Sequence, residues 1–302
     1  MTATQAEEFR AQIDDDALER LLSSSEQLSY DPNTEVDWDA PLDPDKHGMN
    51  PEWSTLYGTP LWDQLTHEQQ VALTRHEAAS VASIGIWFET LLQQMLLVDI
   101  YPQNPSTSKV QFALTEIADE CRHSIMFARG AQLLSGRHYR PNWLVFNLAK
   151  LLKITSRAEV SYTSILVAEE VLDVMQRDWM RGEDVLDQVR TICKIHVVEE
   201  SRHMKFARHE TMQHMKNAGP IRRRLSALMI AITGYFIVSS LVRPEVYAAA
   251  GLDVKEAKKA AKGNTHHHNL MRLSCQHLMD FLSEAGLLTA PAKALYRRVN
   301  ML

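Results

Sequence analysis

An all-α fold is predicted for this chain of 302 residues: a four-helix bundle with additional helices at both ends. Three observations carry that prediction. Gly and Pro number only 11 each, too few for a loop-rich β protein of this length. Four stretches bounded by Pro and Gly are each longer than the average globular helix, as bundle helices are. No run of alternating β-branched residues is long enough for a sheet strand.

Residues 5–28 read as a first helix. The segment from Tyr30 to Leu65 mixes Pro, Asp and Trp and is expected to wrap over the surface, anchored by Trp38, Trp53, Leu61 and Trp62. Thr66 then opens a long helix, with Glu68 close to the capping-box position, and Pro102 and Pro105 end it. Ser106 or Ser108 opens the second, which stops at Gly136. After Pro141, Ser156 opens the third, ending near Gly182, and Asp184 opens the fourth, closing near Gly219-Pro220. Residues 221–243 form a nearly all-apolar fifth, and a last helix is expected from about His267 to Ala285, after the Lys-rich 253–262. One domain over 1–302 is the simplest organisation.

A net charge of −6 and a pI near 6.1 give no electrostatic basis for nucleic-acid binding, and the basic runs 222–224 and 255–262 read as solvated helix faces. The apolar segment 225–242 is only 18 residues long and includes six Gly, Ser, Thr or Tyr, which fits a buried helix better than a membrane span. Cys121, Cys193 and Cys275 have no C-x-x-C spacing, and the acidic N-terminus lacks a signal-peptide core; a reducing cytoplasm is expected.

Six residues stand where core helices normally place hydrocarbon: Glu89 in IWFETLL, Glu120 and His123 in EIADECRHSIMF, Glu169 after SILVA, and Glu200 and His203 in HVVEESRHMKF. A buried carboxylate is costly unless it is paired, protonated or bound to a cation. Their spacing is regular. Glu89 to Glu120 and Glu169 to Glu200 are both 31 residues, and each His follows its Glu by three. A shift of 80 positions carries the first set onto the second, with Arg122 on Arg202 and the acidic Asp119 on Glu199. The pattern is an internal duplication of a helix pair, each carrying half a site.

The spacing of 31 suits a helical hairpin. From Glu89 the chain runs about 12 residues out and about 15 back to Glu120, roughly 18 and 22 Å of helix, so the carboxylates return to nearly one level. Glu-x-x-His puts both side chains on one helix face. Four helices then direct four carboxylates and two imidazoles at one spot, the ligand set of di-iron carboxylate bundles. Such ligands suit Fe or Mn. Asp119 and Glu199 are placed to accept the distal N–H of a ligand imidazole across the bundle, with Arg122 and Arg202 balancing charge. His196 lies four before Glu200 and seven before His203, and is either an extra ligand or a buried histidine behind the ligands; position 116 in the first half is Glu116.

The pattern Glu89, Glu120-x-x-His123, Glu169, His196-x3-Glu200-x-x-His203 resembles the arylamine N-oxygenase family typified by para-aminobenzoate N-oxygenase. The resemblance covers residues 66–217 by motif and implies a ferritin-like bundle, two iron ions (or Mn/Fe) with O2 as co-substrate, and His196 as an additional ligand. It implies oxidation of an aromatic amine through hydroxylamine and nitroso stages to a nitro group. The same ligands serve di-iron oxygenases of C–H bonds or aldehydes, and non-catalytic ferritin-like iron proteins. Phe127 stands where a ribonucleotide-reductase radical subunit would be expected to carry Tyr.

No dinucleotide-binding Gly fingerprint, Cys cluster or haem motif is present, so a ferredoxin or small-molecule reductant is expected to supply electrons. The substrate pocket is expected one turn from the ligands, at Gly85, Leu92, Gln93, Phe127, Ile165, Leu172 and Ile192. A homodimer, without nucleic-acid or membrane partners, completes the expectation.

Overall fold

The computed structural model describes residues 3–155 and 159–302, with side chains described for 15–150 and 159–302. Among the described residues the chain is all-α. Fourteen α-helices run in order: α1 Ala3–Gln27, α2 Pro32–Glu35, α3 Pro60–Asp63, α4 His67–Ile100, α5 Ser108–Ser135, α6 Trp143–Thr155, α7 Glu159–Trp179, α8 Asp187–Lys216, α9 Pro220–Ser240, α10 Glu245–Ala249, α11 Val254–Lys262, α12 Thr265–Ser274, α13 Gln276–Glu284 and α14 Ala290–Arg298. The predicted start of the third long helix, Ser156, lies outside the described residues.

Helices α4 and α5 form one hairpin and α7 and α8 a second, and the two pack together as the four-helix core. Helix α1 lies against α5 and α8, and α9 lies against α7 and α14. The capping residues explain the boundaries. Thr66 caps α4 by accepting the Gln69 N–H at 3.2 Å, while Gln69 Oε1 accepts the Thr66 N–H at 3.0 Å. The capping box is therefore Thr66 with Gln69 rather than Glu68, because only the third helical residue reaches back to the cap. Thr107 caps α5, and Gly136 ends it at φ +59°, a backbone region that favours Gly. Helix α8 begins at Asp187 rather than Asp184, whose carbonyl instead accepts the His47 N–H at 2.8 Å.

Two further boundaries differ from expectation. Residues 143–155 form a helix of their own, α6, which buries Val145 and Ala149 and exposes Trp143, Leu144 and Phe146. The predicted helix 267–285 is two helices, α12 and α13, that meet at Cys275. Helix α4 and the segment 220–249, which holds α9 and α10, are apolar and long enough to cross a membrane, yet about half of each apolar window is buried inside the fold.

The segment before α4 is tied to α7 and α8. Trp53 Nε1 donates to Asp178 Oδ2 at 2.8 Å, Asn50 Nδ2 donates to the same carboxylate at 2.6 Å, and Leu186 N–H donates to the His47 carbonyl at 3.0 Å. Trp53 and Trp62 are buried; Trp38 and Leu61 are half-buried. Gly48 lets this segment pass directly over α4: a Cβ there would lie 2.6 Å from Arg75 Cα. Since that neighbour is backbone, Gly48→Ala is expected to cost about 2–3 kcal/mol in urea unfolding, and an unchanged midpoint would refute the close approach.

Candidate metal centre

One level of the four-helix core is polar. Glu89 from α4, Glu120 and His123 from α5, Glu169 from α7, and His196, Glu200 and His203 from α8 are each at most 3% exposed. The structure brings all seven together. His123 Nδ1 lies 3.2 Å from Glu200 Oε1 and 3.6 Å from Glu120 Oε2. His203 Nδ1 lies 3.0 Å from Glu200 Oε1 and 3.4 Å from Glu120 Oε1. His196 Nε2 faces Glu169 and Glu200 at 3.7 Å and Glu89 at 3.9 Å, so this ring points into the cluster rather than away from it.

The outward nitrogens are held by other carboxylates. His123 Nε2 sits 2.7 Å from Glu199 Oε2, and His203 Nε2 sits 3.3 Å from Asp119 Oδ2. Each pairing joins α5 to α8 and leaves Nδ1 facing inward. Arg122 donates to Asp119 at 2.6 Å and to Glu199 at 3.2 Å, and Arg202 Nη2 lies 3.6 Å from Asp119. The Tyr30 N–H donates to Glu199 at 3.0 Å, Arg202 donates to the Leu28 carbonyl and Arg122 to Ser29 Oγ. Residues 28–30 thus close the histidine side of the site, a contribution that no local sequence pattern announces. On the other imidazole, Gln176 Oε1 lies 2.6 Å from His196 Nδ1 and orients Nε2 inward.

The site gathers several carboxylates in one buried volume. Burial first, then repulsion from Glu120, holds the Glu89 carboxyl well above the usual range; burial and then Glu200 do the same to Glu169. Burial pushes Glu116 up to about 8. Burial alone would lower His123 and His203, but the surrounding carboxylates outweigh it and both are raised well above an ordinary imidazole.

Unpartnered atoms give the clearest test of fit. Glu116 Oε2, Glu120 Oε2, His123 Nδ1, Glu169 Oε2, His196 Nε2 and Glu200 Oε2 are buried and make no hydrogen bond. Such atoms are rare in folded proteins and ask for an explanation. Oxygen and imidazole nitrogen donors converge in three trios, His123–His196–Glu200, Glu116–Glu120–His203 and Glu120–Glu169–Glu200, with donor atoms within 4.8 Å of one another. A pair of Fe or Mn ions fits this donor set.

Glu116 is the residue missing from the sequence-derived set. Its signal is the offset of 80 that places it opposite His196. The expected substrate positions divide. Gly85, Phe127, Leu172 and Ile192 line a narrow apolar cavity of about 40 Å³ with Gln176, next to His196, whose ring centre lies 4.8 Å from that of Phe127. Leu92 and Ile165 are instead packed in the core, and half-buried Gln93 meets the exposed Cys121 Sγ of α5 at 3.6 Å. One turn along a helix keeps nearly the same face but moves the side chain about 5.4 Å along the axis, so adjacency to a ligand did not place these three on the cavity.

Glu199→Gln tests the outward pairing. Loss of the anion behind His123 is expected to weaken metal binding about 10–100-fold while the helical spectrum is unchanged. Unaltered affinity in an anaerobic Fe(II) titration would assign Glu199 a purely structural role.

A helical bundle with carboxylate and imidazole donors gathered at its centre is the architecture of the di-metal carboxylate proteins. The family model of the p-aminobenzoate N-oxygenase AurF matches residues 11–286, and the chain belongs to that oxygenase family. The chain is also similar to an uncharacterized protein of Mycobacterium tuberculosis (strain CDC 1551 / Oshkosh), 26% identical over 254 residues, covering 80% of this chain and 74% of the relative. An uncharacterized protein of Mycobacterium bovis (strain ATCC BAA-935 / AF2122/97) is 25% identical with the same coverage.

Proposed function

We propose that this chain, acting as one domain, is a di-metal monooxygenase that N-oxygenates an aromatic amine towards the hydroxylamine, nitroso or nitro product. The observation that carries the reading is the set of unpartnered buried donors meeting between two duplicated helix pairs in a member of this family. Glu89, Glu120, His123, Glu169, His196, Glu200 and His203 would hold the two ions. When bound, an iron pair (or Mn/Fe) supplies O2 activation and oxidising power.

The remaining work belongs to the protein. Asp119 and Glu199 keep the Nε2 protons on His203 and His123, leaving Nδ1 for a cation. Residues 28–30 exclude water from that side. The cavity beside His196 receives the amine, and its apolar walls hold the ring. At about 40 Å³ it is smaller than an aromatic ring requires, so Phe127, Leu172 or Ile192 must shift on binding. An external reductant, a ferredoxin or small molecule, supplies two electrons for each oxygen atom inserted, the other atom leaving as water.

Incubating the iron-loaded, reduced protein with aromatic amines and O2 tests this. Mass spectrometry should show oxygen added at nitrogen with every C–H bond intact. Ring or alkyl hydroxylation, or no reductant-dependent O2 uptake, would overturn it. Gly85→Leu is expected to raise KM at least tenfold at unchanged iron content, because its side chain grows from a Cβ that already sits 3.8 Å from the Phe127 ring. Helix α6 exposes Trp143, Leu144 and Phe146, an apolar face of the kind that subunit contacts cover. A homodimer, and a cytoplasmic location, are part of the proposed reading, and sedimentation at micromolar concentration checks the assembly.

A further inference from the structure

Glu116 lies one turn before Glu120 on α5 and is 1% exposed. Among the described residues its Oε2 is buried and makes no hydrogen bond. What it does meet is the cluster: a Glu116 oxygen lies within 4.8 Å of donor atoms of both Glu120 and His203. The second such trio is His123, His196 and Glu200.

These trios are related by the duplication itself. The offset of 80 carries Glu116 to His196 and Glu120 to Glu200, and the reverse offset carries His203 to His123. One trio draws two residues from α5 and one from α8; the other draws two from α8 and one from α5. The operation that exchanges the halves of the bundle therefore exchanges the trios, and the only chemical change is carboxylate for imidazole at one place.

We propose that Glu116 is a metal ligand, the counterpart of His196 on the second ion, so that the centre uses eight side chains and its two positions differ by one charge. This rests on the di-metal reading above. Four carboxylates from Glu89, Glu120, Glu169 and Glu200 balance two divalent ions. A fifth anion on one ion alone favours the trivalent state there, so that position has the lower reduction potential and the pair is electronically unequal.

The test uses the metal-free full-length chain, titrated anaerobically with Fe(II) and read by calorimetry and Mössbauer spectroscopy. Wild type should bind two irons with distinguishable signals. Glu116→Gln keeps the shape of the side chain and should weaken one of the two sites at least tenfold, raise the midpoint potential, and leave the other site unchanged. Glu116→His should keep two irons and bring their signals together. A merely structural carboxylate would move neither signal. Two irons with unaltered affinity and spectrum in Glu116→Gln overturns the proposal and leaves the di-metal reading standing. A wild type that binds no metal pair overturns both.

Discussion

Replacing Glu200 by Ala should remove the metal pair and lower turnover by on the order of 10³-fold or more. The reason is position. Glu200 Oε1 lies 3.0 Å from His203 Nδ1, 3.2 Å from His123 Nδ1 and 3.7 Å from His196 Nε2, and its carboxylate belongs to two of the three converging trios. Among the described residues no other carboxylate lies within 4.0 Å of a ring nitrogen of all three imidazoles. Ligand binding to the folded state stabilises it by about 2.7 kcal/mol per site at a hundredfold excess over Kd. Wild type should therefore gain thermal stability on adding Fe(II), and Glu200→Ala should gain almost none. The metal-free variant should also be less stable than metal-free wild type. Burial opposes ionisation of Glu200, but the His203 and His123 imidazoles outweigh it and hold its carboxyl well below the usual range. A group depressed in the folded state contributes stability above its unfolded pKa, so at pH 7 wild type has that contribution and Glu200→Ala lacks it. Two irons per chain and a normal metal-induced shift in the variant would remove Glu200 from the centre.

The second large effect is a pH dependence away from the metals. Glu77 on α4 is fully buried and accepts the Thr55 N–H at 3.0 Å and the Thr55 hydroxyl, which also contacts the Tyr247 hydroxyl at 2.8 Å. Oε2 has no partner. Burial, only partly offset by the Thr55 and Ser54 hydrogen bonds, raises its carboxyl to about 7 from the ordinary 4.5. The folded chain thus holds a proton that the unfolded chain releases. That favours folding below pH 4.5, and the advantage disappears as pH rises through 7. Glu77→Gln, which keeps the acceptor for Thr55 and never ionises, should match wild type near pH 4.5. It should exceed wild type by up to about 3 kcal/mol at pH 8.5, at 1.36 kcal/mol per unit. Urea unfolding of the metal-free proteins at both pH values measures the difference. An equal difference at the two values would show that Glu77 does not titrate in this range.

Much of the molecule is legible without coordinates. The long helices α4, α5 and α9 start and stop within a few residues of their Thr, Gly and Pro punctuation, because capping and proline geometry are local. The convergence of Glu89, Glu120, His123, Glu169, Glu200 and His203 is legible for a different reason. Burying a carboxylate is costly enough that a regular set in apolar surroundings demands a shared partner, and the spacing of 31 sets its level along the bundle. Helix α6 and the break at Cys275 are less legible, since short helices are stabilised by what they pack on rather than by their own caps.

The chain's order alone determined the duplicated half-sites, the helix faces that carry them and the height at which they meet. Tertiary packing decided the rest: that His196 and Glu116 turn inward, that Gln93 turns out while Gly85 and Phe127 border the cavity, and that residues 28–30 cap Glu199 and Arg202 from across the fold. The period of a helix is a property of adjacent residues and can be read along the chain. The rotation of each helix about its own axis comes from the neighbours it packs against, so which side chains share an interior volume is fixed only when four helices are assembled.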